Sequence, residues 1–350
     1  MRDAEYIANV FMADSGKKPD PKVAVVGCGH WGENLVRNFH QLGSLVCVHD
    51  IKSKVTEKIT AAYPVPSSSF QEILENDSID GVVIATPAEQ HAEMAAAVLR
   101  AGKSVFVEKP LALRVSEAER LCQQAGEAGL VLMVGHLLQY HPAFEKLKEI
   151  CQSGALGRVQ YVYSHRLHLG RFRTEENILW SFAPHDISMI LGLLGDDLES
   201  VSATGHSFLN HDVADVTTTH LKFTSGQAAH IFVSWLHPFK EQRLVIVGNG
   251  GMAVFDDTLG WPEKISIFPE PVTWNNGIPV PTEADRETVP LEEAEPLNLE
   301  CRHFLNCVET GETPRTDGQE GLRVLRVLDA AQRSIESGET LKLSKGRAVL

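Results

Sequence analysis

No stretch of the 350-residue chain approaches the ~20 consecutive apolar residues of a membrane-spanning helix, which speaks against an integral membrane protein. Basic residues are the minority: 32 Lys and Arg stand against 46 Asp and Glu, a formal charge of −14. That balance repels a nucleic-acid duplex or an anionic membrane surface, while a local basic patch can still hold one phosphate group. The six cysteines (Cys28, Cys47, Cys122, Cys151, Cys301, Cys307) include no C-x-x-C pair and no small-scaffold framework, so a reducing cytoplasm is expected. There is no internal repeat and no low-complexity segment. The opening MRDAEYIANVFMADSGKKPDPK lacks the apolar core of a secretory signal and reads as a polar leader over 1–21. A composition of 43% hydrophobic and 22% charged residues excludes disorder, collagen and coiled coil. At roughly 150 residues per domain the length suggests two domains.

From Lys22 to Gly135 short β-branched runs alternate with helical stretches: KVAVVGCG, HWGENLVRNFHQLG, SLVCVHD, SKVTEKITAAY, GVVIATP, EQHAEMAAAVLRAG, SVFVEKP and LVLMVGH. Continuously apolar strands separated by helices predict a parallel sheet covered on both faces, a doubly wound α/β unit over 22–135. The remainder, 136–350, changes style. Period-two strands with Gly turns at Ser225-Gly226 and Asn249-Gly250-Gly251 predict a mainly antiparallel sheet, and helices are expected near 184–194, 297–309 and 318–337. The proline-rich, acidic stretch from Pro262 to Pro296 is expected to be mostly loop.

Gly27-Cys28-Gly29-His30-Trp31-Gly32 is G-x-G-x-x-G between the first strand and the first helix. The first Gly permits the tight turn, the second lets a dinucleotide pyrophosphate approach the backbone, and the third brings helix and strand together. Asp50 closes the second strand 23 residues after Gly27, where an acid accepts from ribose hydroxyls and repels a 2′-phosphate. NAD is therefore the expected cofactor, although Lys52 and Lys54 soften the preference over NADP. Thr86-Pro87 is read as closing a fourth strand and Glu108-Lys109-Pro110 a fifth, both facing the crevice beyond the carboxyl ends of the sheet. Lys109 is placed there for proton chemistry or for orienting a hydroxyl.

His185 follows Pro184 and is read as lying in a first helical turn, with Asp186 neutralising the helix start. Arg166, Arg171 and Arg173 cluster with His168 and suit a phosphate or carboxylate; a charged, solvated edge strand has the same signature. The pairs His136/His141 and His165/His168 come with no H-E-x-x-H or paired Cys/His spacing, so no metal is expected.

The segments GCGHWGENLVRNF, ATPAEQH, VEKPLAL and WSFAPHDISMILGLLG, in this order, resemble the Gfo/Idh/MocA oxidoreductases, and the likeness continues through PLNLECRHFLNCVETGETPRTDGQEGLRVLRVLDAAQRSI. The resemblance implies a Rossmann domain, a C-terminal α+β domain whose open antiparallel sheet often mediates homo-oligomerisation, and Lys109 and His185 beside the nicotinamide and reacting carbinol. It adds His30, Trp31 and His91 to the cofactor set. Many members carry Asp four residues before the histidine; here that position is Ser181, which favours Lys109 for the proton and His185 for orienting the hydroxyl. VGHLLQYHPAFEKL and RLHLGRFRTEENILWSFAPHDIS resemble the nucleotide-sugar dehydrogenases of bacterial surface-polysaccharide and lipid A pathways. That branch implies oxidation at C3 of UDP-N-acetylglucosamine, or of its 6-uronate, to a 3-keto sugar used by a PLP aminotransferase. Gln139, Tyr140, Asn177 and Trp180 are then expected beside sugar and nicotinamide. The alternatives are the same chemistry on a free polyol such as an inositol, and a catalytically silent NAD-binding regulator.

Overall fold

The computed structural model describes residues 20–170, 172–174, 176–269, 272–281, 285–344 and 347–348. Strands β1 (Val23–Val26), β2 (Leu45–His49), β3 (Gly81–Ile84), β4 (Ser104–Glu108) and β5 (Leu132–Gly135) form a parallel sheet in the order β2-β1-β3-β4-β5. Four of the five strands are buried throughout, which is why they read as unbroken apolar runs. One face carries Val23, Val25 and Phe106 against Leu35 and Phe39 of α1 (Gly32–Gln41). The other carries Ala24, Val26, Val105 and Val107 against Val98 and Leu99 of α4 (Ala88–Arg100) and Leu121 of α5 (Val115–Ala128). Between them in sequence lie α2 (Ser53–Ala62) and α3 (Phe70–Glu75). Only two strands precede β3, so Thr86-Pro87 follows the third strand and Glu108-Lys109-Pro110 the fourth, one earlier than expected. The order reverses between β1 and β3, which puts the crevice at Gly27 and Thr86.

The second sheet contains β6 (Val159–Leu167), β7 (Leu198–His206), β8 (Val216–Phe223), β9 (Ala228–Ser234), β10 (Glu241–Gly248), β11 (Gly251–Asp256), β12 (Ile265–Pro269) and the short β15 (Glu287–Thr288), β16 (Leu341–Ser344) and β17 (Arg347–Ala348). Its order is β15-β12-β11-β10-β6-β9-β8-β7-β16-β17, antiparallel except for the central β6–β9 pair. Helices α6 (Pro142–Gln152), α7 (Ile178–Leu194) and α9 (Gly318–Ser337) cover one face, where Ile187, Ile190 and Leu328 meet Val162, Val233 and Ile246. Among the described residues no helix is long and apolar enough to cross a membrane.

Three expectations change. The stretch from 262 to 296 holds β12 and β15 on the sheet's edge, plus a free hairpin of β13 (Val272–Asn275) and β14 (Ile278–Pro281). Edge and hairpin positions tolerate proline, so the proline signal did not exclude strands. Helix α7 begins at Ile178, not at 184: Asn177 caps it by accepting from Trp180 N at 3.2 Å, and Pro184 lies inside it. Finally, α8 (Pro296–Thr310) crosses the division at 136: Phe304 packs on Phe39 and Phe106 of the first unit, with ring centroids 6.4 and 5.7 Å apart. A returning helix leaves no local signal of where it docks.

Candidate active site

The glycine turn is built as its spacing requires. Gly27 holds φ +87°, and a Cβ there would lie 2.7 Å from the backbone of Ala85 and Thr86. A Cβ on Gly32 would sit 1.9 Å from the Gly27 carbonyl oxygen. A Cβ on Gly29 would meet nothing within 4 Å, so the space in front of the turn is open to a pyrophosphate. His30 and Trp31 are exposed at the tip. Asp50 braces the turn: Oδ2 accepts from Cys28 N and Oδ1 from Lys52 N, each at 2.9 Å. The residues present fit a dinucleotide.

From the end of β4, Glu108 turns toward α1 and Lys109 toward α7. Glu108 is buried and accepts from the Trp31 indole at 2.5 Å; burial raises its pKa, partly offset by Trp31 and Lys109. Lys109 Nζ donates to the Ser181 carbonyl at 2.8 Å. Pro184 denies the neighbouring Trp180 carbonyl its helical N–H, so this turn of α7 is where the helix presents backbone acceptors. Burial holds the Lys109 pKa below the ordinary lysine range, against the opposing charges of Glu176 and Glu108.

His185 lies one turn after Ser181 and so shares its face. Its Nδ1 and the Ser181 hydroxyl are buried with no hydrogen-bond partner among the described residues. Burial, then the charges of Lys109 and Arg166, press the His185 pKa well below its usual value. Two bases on which burial disfavours positive charge thus meet at one turn of α7, an arrangement suited to taking a proton from a hydroxyl.

Several residues expected to touch ligand are engaged elsewhere. Asp186 is not at a helix start; it is fully buried in mid-helix, bound by Arg166 Nε at 2.8 Å and Nη2 at 3.1 Å and by Ser164 Oγ. That bidentate pair withdraws Arg166 from any substrate anion; burial disfavours its charge, but Asp186 more than offsets this. Gln139 is buried and donates to Ser188 O and Oγ, and buried Tyr140 shares a hydrogen bond with Thr316 Oγ1 at 2.9 Å. Neither offers a free polar group to a sugar. Asn177 caps α7 and, with the Trp180 indole, donates to Gln332 Oε1. The Trp180 ring packs against both cores. His91 sits behind the cofactor turn, with ring nitrogens 2.7 and 2.8 Å from the Pro110 and Thr86 carbonyl oxygens, and burial lowers its pKa. Pro87 begins α4. Arg171 lies outside the described residues. Arg173, 47% exposed, pairs with Glu176 at 2.6 Å. Glu176 was missed from sequence because a carboxylate in a charged loop carries no motif.

A pocket of about 340 Å³ between Leu130, Leu132, Glu312 and Asp317 lies at the amino end of β5, away from this chemistry.

A glycine turn and a lysine at the carboxyl ends of a parallel sheet, met by a histidine-bearing helix, form a candidate nucleotide-dependent oxidoreductase site. Residues 21–136 match the oxidoreductase family with NAD-binding Rossmann fold, and residues 144–254 match the GFO/IDH/MocA C-terminal domain. The chain belongs to the Gfo/Idh/MocA oxidoreductases, is an enzyme of that family, and uses NAD. It is 28% identical over 344 residues to scyllo-inositol 2-dehydrogenase (NAD(+)) of Bacillus subtilis, covering 93% of this chain and 97% of that one. It is 26% identical over 310 residues to UDP-N-acetylglucosamine 3-dehydrogenase of Acidithiobacillus ferrooxidans, covering 87% and 94%. The solved structure of that enzyme superposes with a TM-score of 0.80 at 25% identity, covering 90% of this chain and 97% of the other.

Proposed function

We propose that the chain oxidises the C3 hydroxyl of a UDP-amino-sugar, UDP-N-acetylglucosamine foremost, to the 3-keto sugar. The observation that carries the reading is the Lys109–Ser181 bond at 2.8 Å, which holds a half-buried amine against α7, one turn before His185. Bound NAD supplies the hydride acceptor. Gly27 and Gly29 receive the pyrophosphate, Gly32 seats the helix against the turn, Asp50 takes the ribose, and Trp31 and Glu108 fix the near wall. Lys109 takes the hydroxyl proton while His185 orients the oxygen. Support for the sugar nucleotide comes from the likeness to UDP-N-acetylglucosamine 3-dehydrogenase in sequence and in fold, and from Arg173 on the loop before α7. In this reading the enzyme works as a homo-oligomer, and an aminotransferase draws off the ketone for a lipid A or surface-polysaccharide pathway. The withdrawal of Arg166 into its pair with Asp186 favours a second reading, a free polyol with no diphosphate to clamp.

The test is NADH formation with UDP-N-acetylglucosamine, its 6-uronate, and scyllo- and myo-inositol, with an aminotransferase and glutamate as ketone trap. Turnover on the nucleotide sugar, weakened by Arg173→Ala through KM, is the expected result. Turnover on an inositol alone, indifferent to Arg173→Ala, selects the polyol.

A further inference from the structure

Oxidising a carbinol breaks a C–H and an O–H bond. Two electrons leave with the hydride, and one proton stays behind with the protein. Lys109 receives it, yet Lys109 is half-buried with its amine held on the Ser181 carbonyl, so an ammonium there has to be relieved before the next turnover. We infer that His136 and Glu320 form the outlet for that proton, an inference that rests on the oxidation proposed above.

His136 follows Gly135 at the carboxyl end of β5, the strand beside the one that delivers Lys109. It is 2% exposed, and its Nδ1 lies 2.5 Å from Glu320 Oε2. Glu320 is fixed at three points. Ser188 Oγ donates to its other oxygen at 2.6 Å, its backbone N–H is capped by Asp317 Oδ1 at 2.8 Å, and it stands in the first turn of α9. A carboxylate so placed holds the N–H on Nδ1 and leaves the lone pair on Nε2. Among the described residues Nε2 makes no hydrogen bond. Glu108 and Gly135 are register partners, so Lys109 and His136 leave the ends of β4 and β5 side by side.

This is the carboxylate-backed histidine that Ser181 denies to His185. In the step, an N–H bond of the Lys109 ammonium breaks and an N–H bond forms on His136 Nε2, with water in the cleft carrying the proton across; when product leaves, that Nε2–H breaks in turn and the same water passes the proton to bulk solvent. The Nδ1–H stays on the ring, and Glu320 remains a carboxylate that compensates the imidazolium. Lys109 is left neutral for the next hydroxyl. His136 and Glu320 act through Lys109 and are positioning residues.

A bracing role for the same pair, tying β5 to α7 and α9, predicts loss of stability and nothing specific in kinetics. The test has two arms on the full-length, NAD-loaded enzyme. In the first, ¹⁵N spectra of the resting wild type, with His136 assigned by its loss in His136→Gln, should show a protonated Nδ1 and a bare Nε2. The opposite tautomer overturns the inference, and this arm requires no substrate, so it still decides if the dehydrogenase reading fails. In the second, His136→Gln should lower kcat by ~10- to 100-fold, less than loss of a direct general base. KM and NAD affinity should stay within about twofold, the solvent deuterium isotope effect should rise, and imidazole should restore part of the rate. Glu320→Gln should show the same pattern more weakly. An unchanged kcat with an unchanged isotope effect overturns the outlet, as does a loss that tracks melting temperature alone.

Discussion

A carboxyl group buried with nothing to bond is costly at neutral pH, and Glu300 on α8 has no hydrogen-bond partner among the described residues. Burial, then the charges of Glu108 and Glu320, push its pKa well above the ordinary carboxyl range. The folded chain therefore keeps a proton that the unfolded chain releases above ~4.3. Wherever the folded state binds more protons, stability falls as pH rises, so Glu300 costs progressively more from about pH 5 toward its raised value. Glu300→Gln removes that proton linkage. Its melting temperature relative to wild type should be higher at about pH 8 than at about pH 5; a difference that does not move with pH contradicts the assignment. Residues of this kind were invisible in the sequence, where Glu300 is one acid in an amphipathic helix. Lys109 and His185 were legible because each sits in a run whose strand or helix could be read. Gln139 and Tyr140 were misplaced because adjacency to a motif does not tell which side of the chain faces the cleft. His136 and Glu320 meet across 184 positions, which no local pattern encodes.

At the scale of elements, the turn between β1 and α1 separates two uses of glycine. Gly32 is required by packing, since its Cβ would overlap the Gly27 carbonyl, whereas Gly29 is open. Gly32→Ala should lower the melting temperature clearly. Gly29→Ala should leave stability within about 0.5 kcal/mol, as for a surface change, while weakening NAD binding at least tenfold. Thermal denaturation with a parallel NAD titration separates the two, and unaltered NAD affinity in Gly29→Ala would place the pyrophosphate elsewhere. The parallel sheet was readable element by element because its strands are buried on both faces and glycines (Gly43, Gly102, Gly129) follow α1, α4 and α5. The start of α7 was not, since Pro184 looked like a first-turn proline while Asn177, seven residues earlier, does the capping. The edge strand β12 was hidden by the prolines that such a strand tolerates.

Across the whole molecule, the site exists because α7 leans out of the second unit and meets the end of β4 from the first. The buried Arg166–Asp186 pair ties α7 to β6, and α8 returns to clasp the first sheet through Phe304. Neither tie could be read from sequence, though both halves could, and their junction is what places Ser181 on Lys109, with His185 one turn beyond. The account stands on that lysine. The most direct test is the rate of NADH formation from UDP-N-acetylglucosamine by wild type and Lys109→Met over a range of pH. Wild type should lose rate as pH falls, on a limb below the ordinary lysine range of ~10.4, because the amine must be neutral to accept the proton. Lys109→Met should bind NAD as before and lose at least ~10²-fold in kcat. A Lys109→Met enzyme that turns over at the wild-type rate, with the same pH limb, would contradict it.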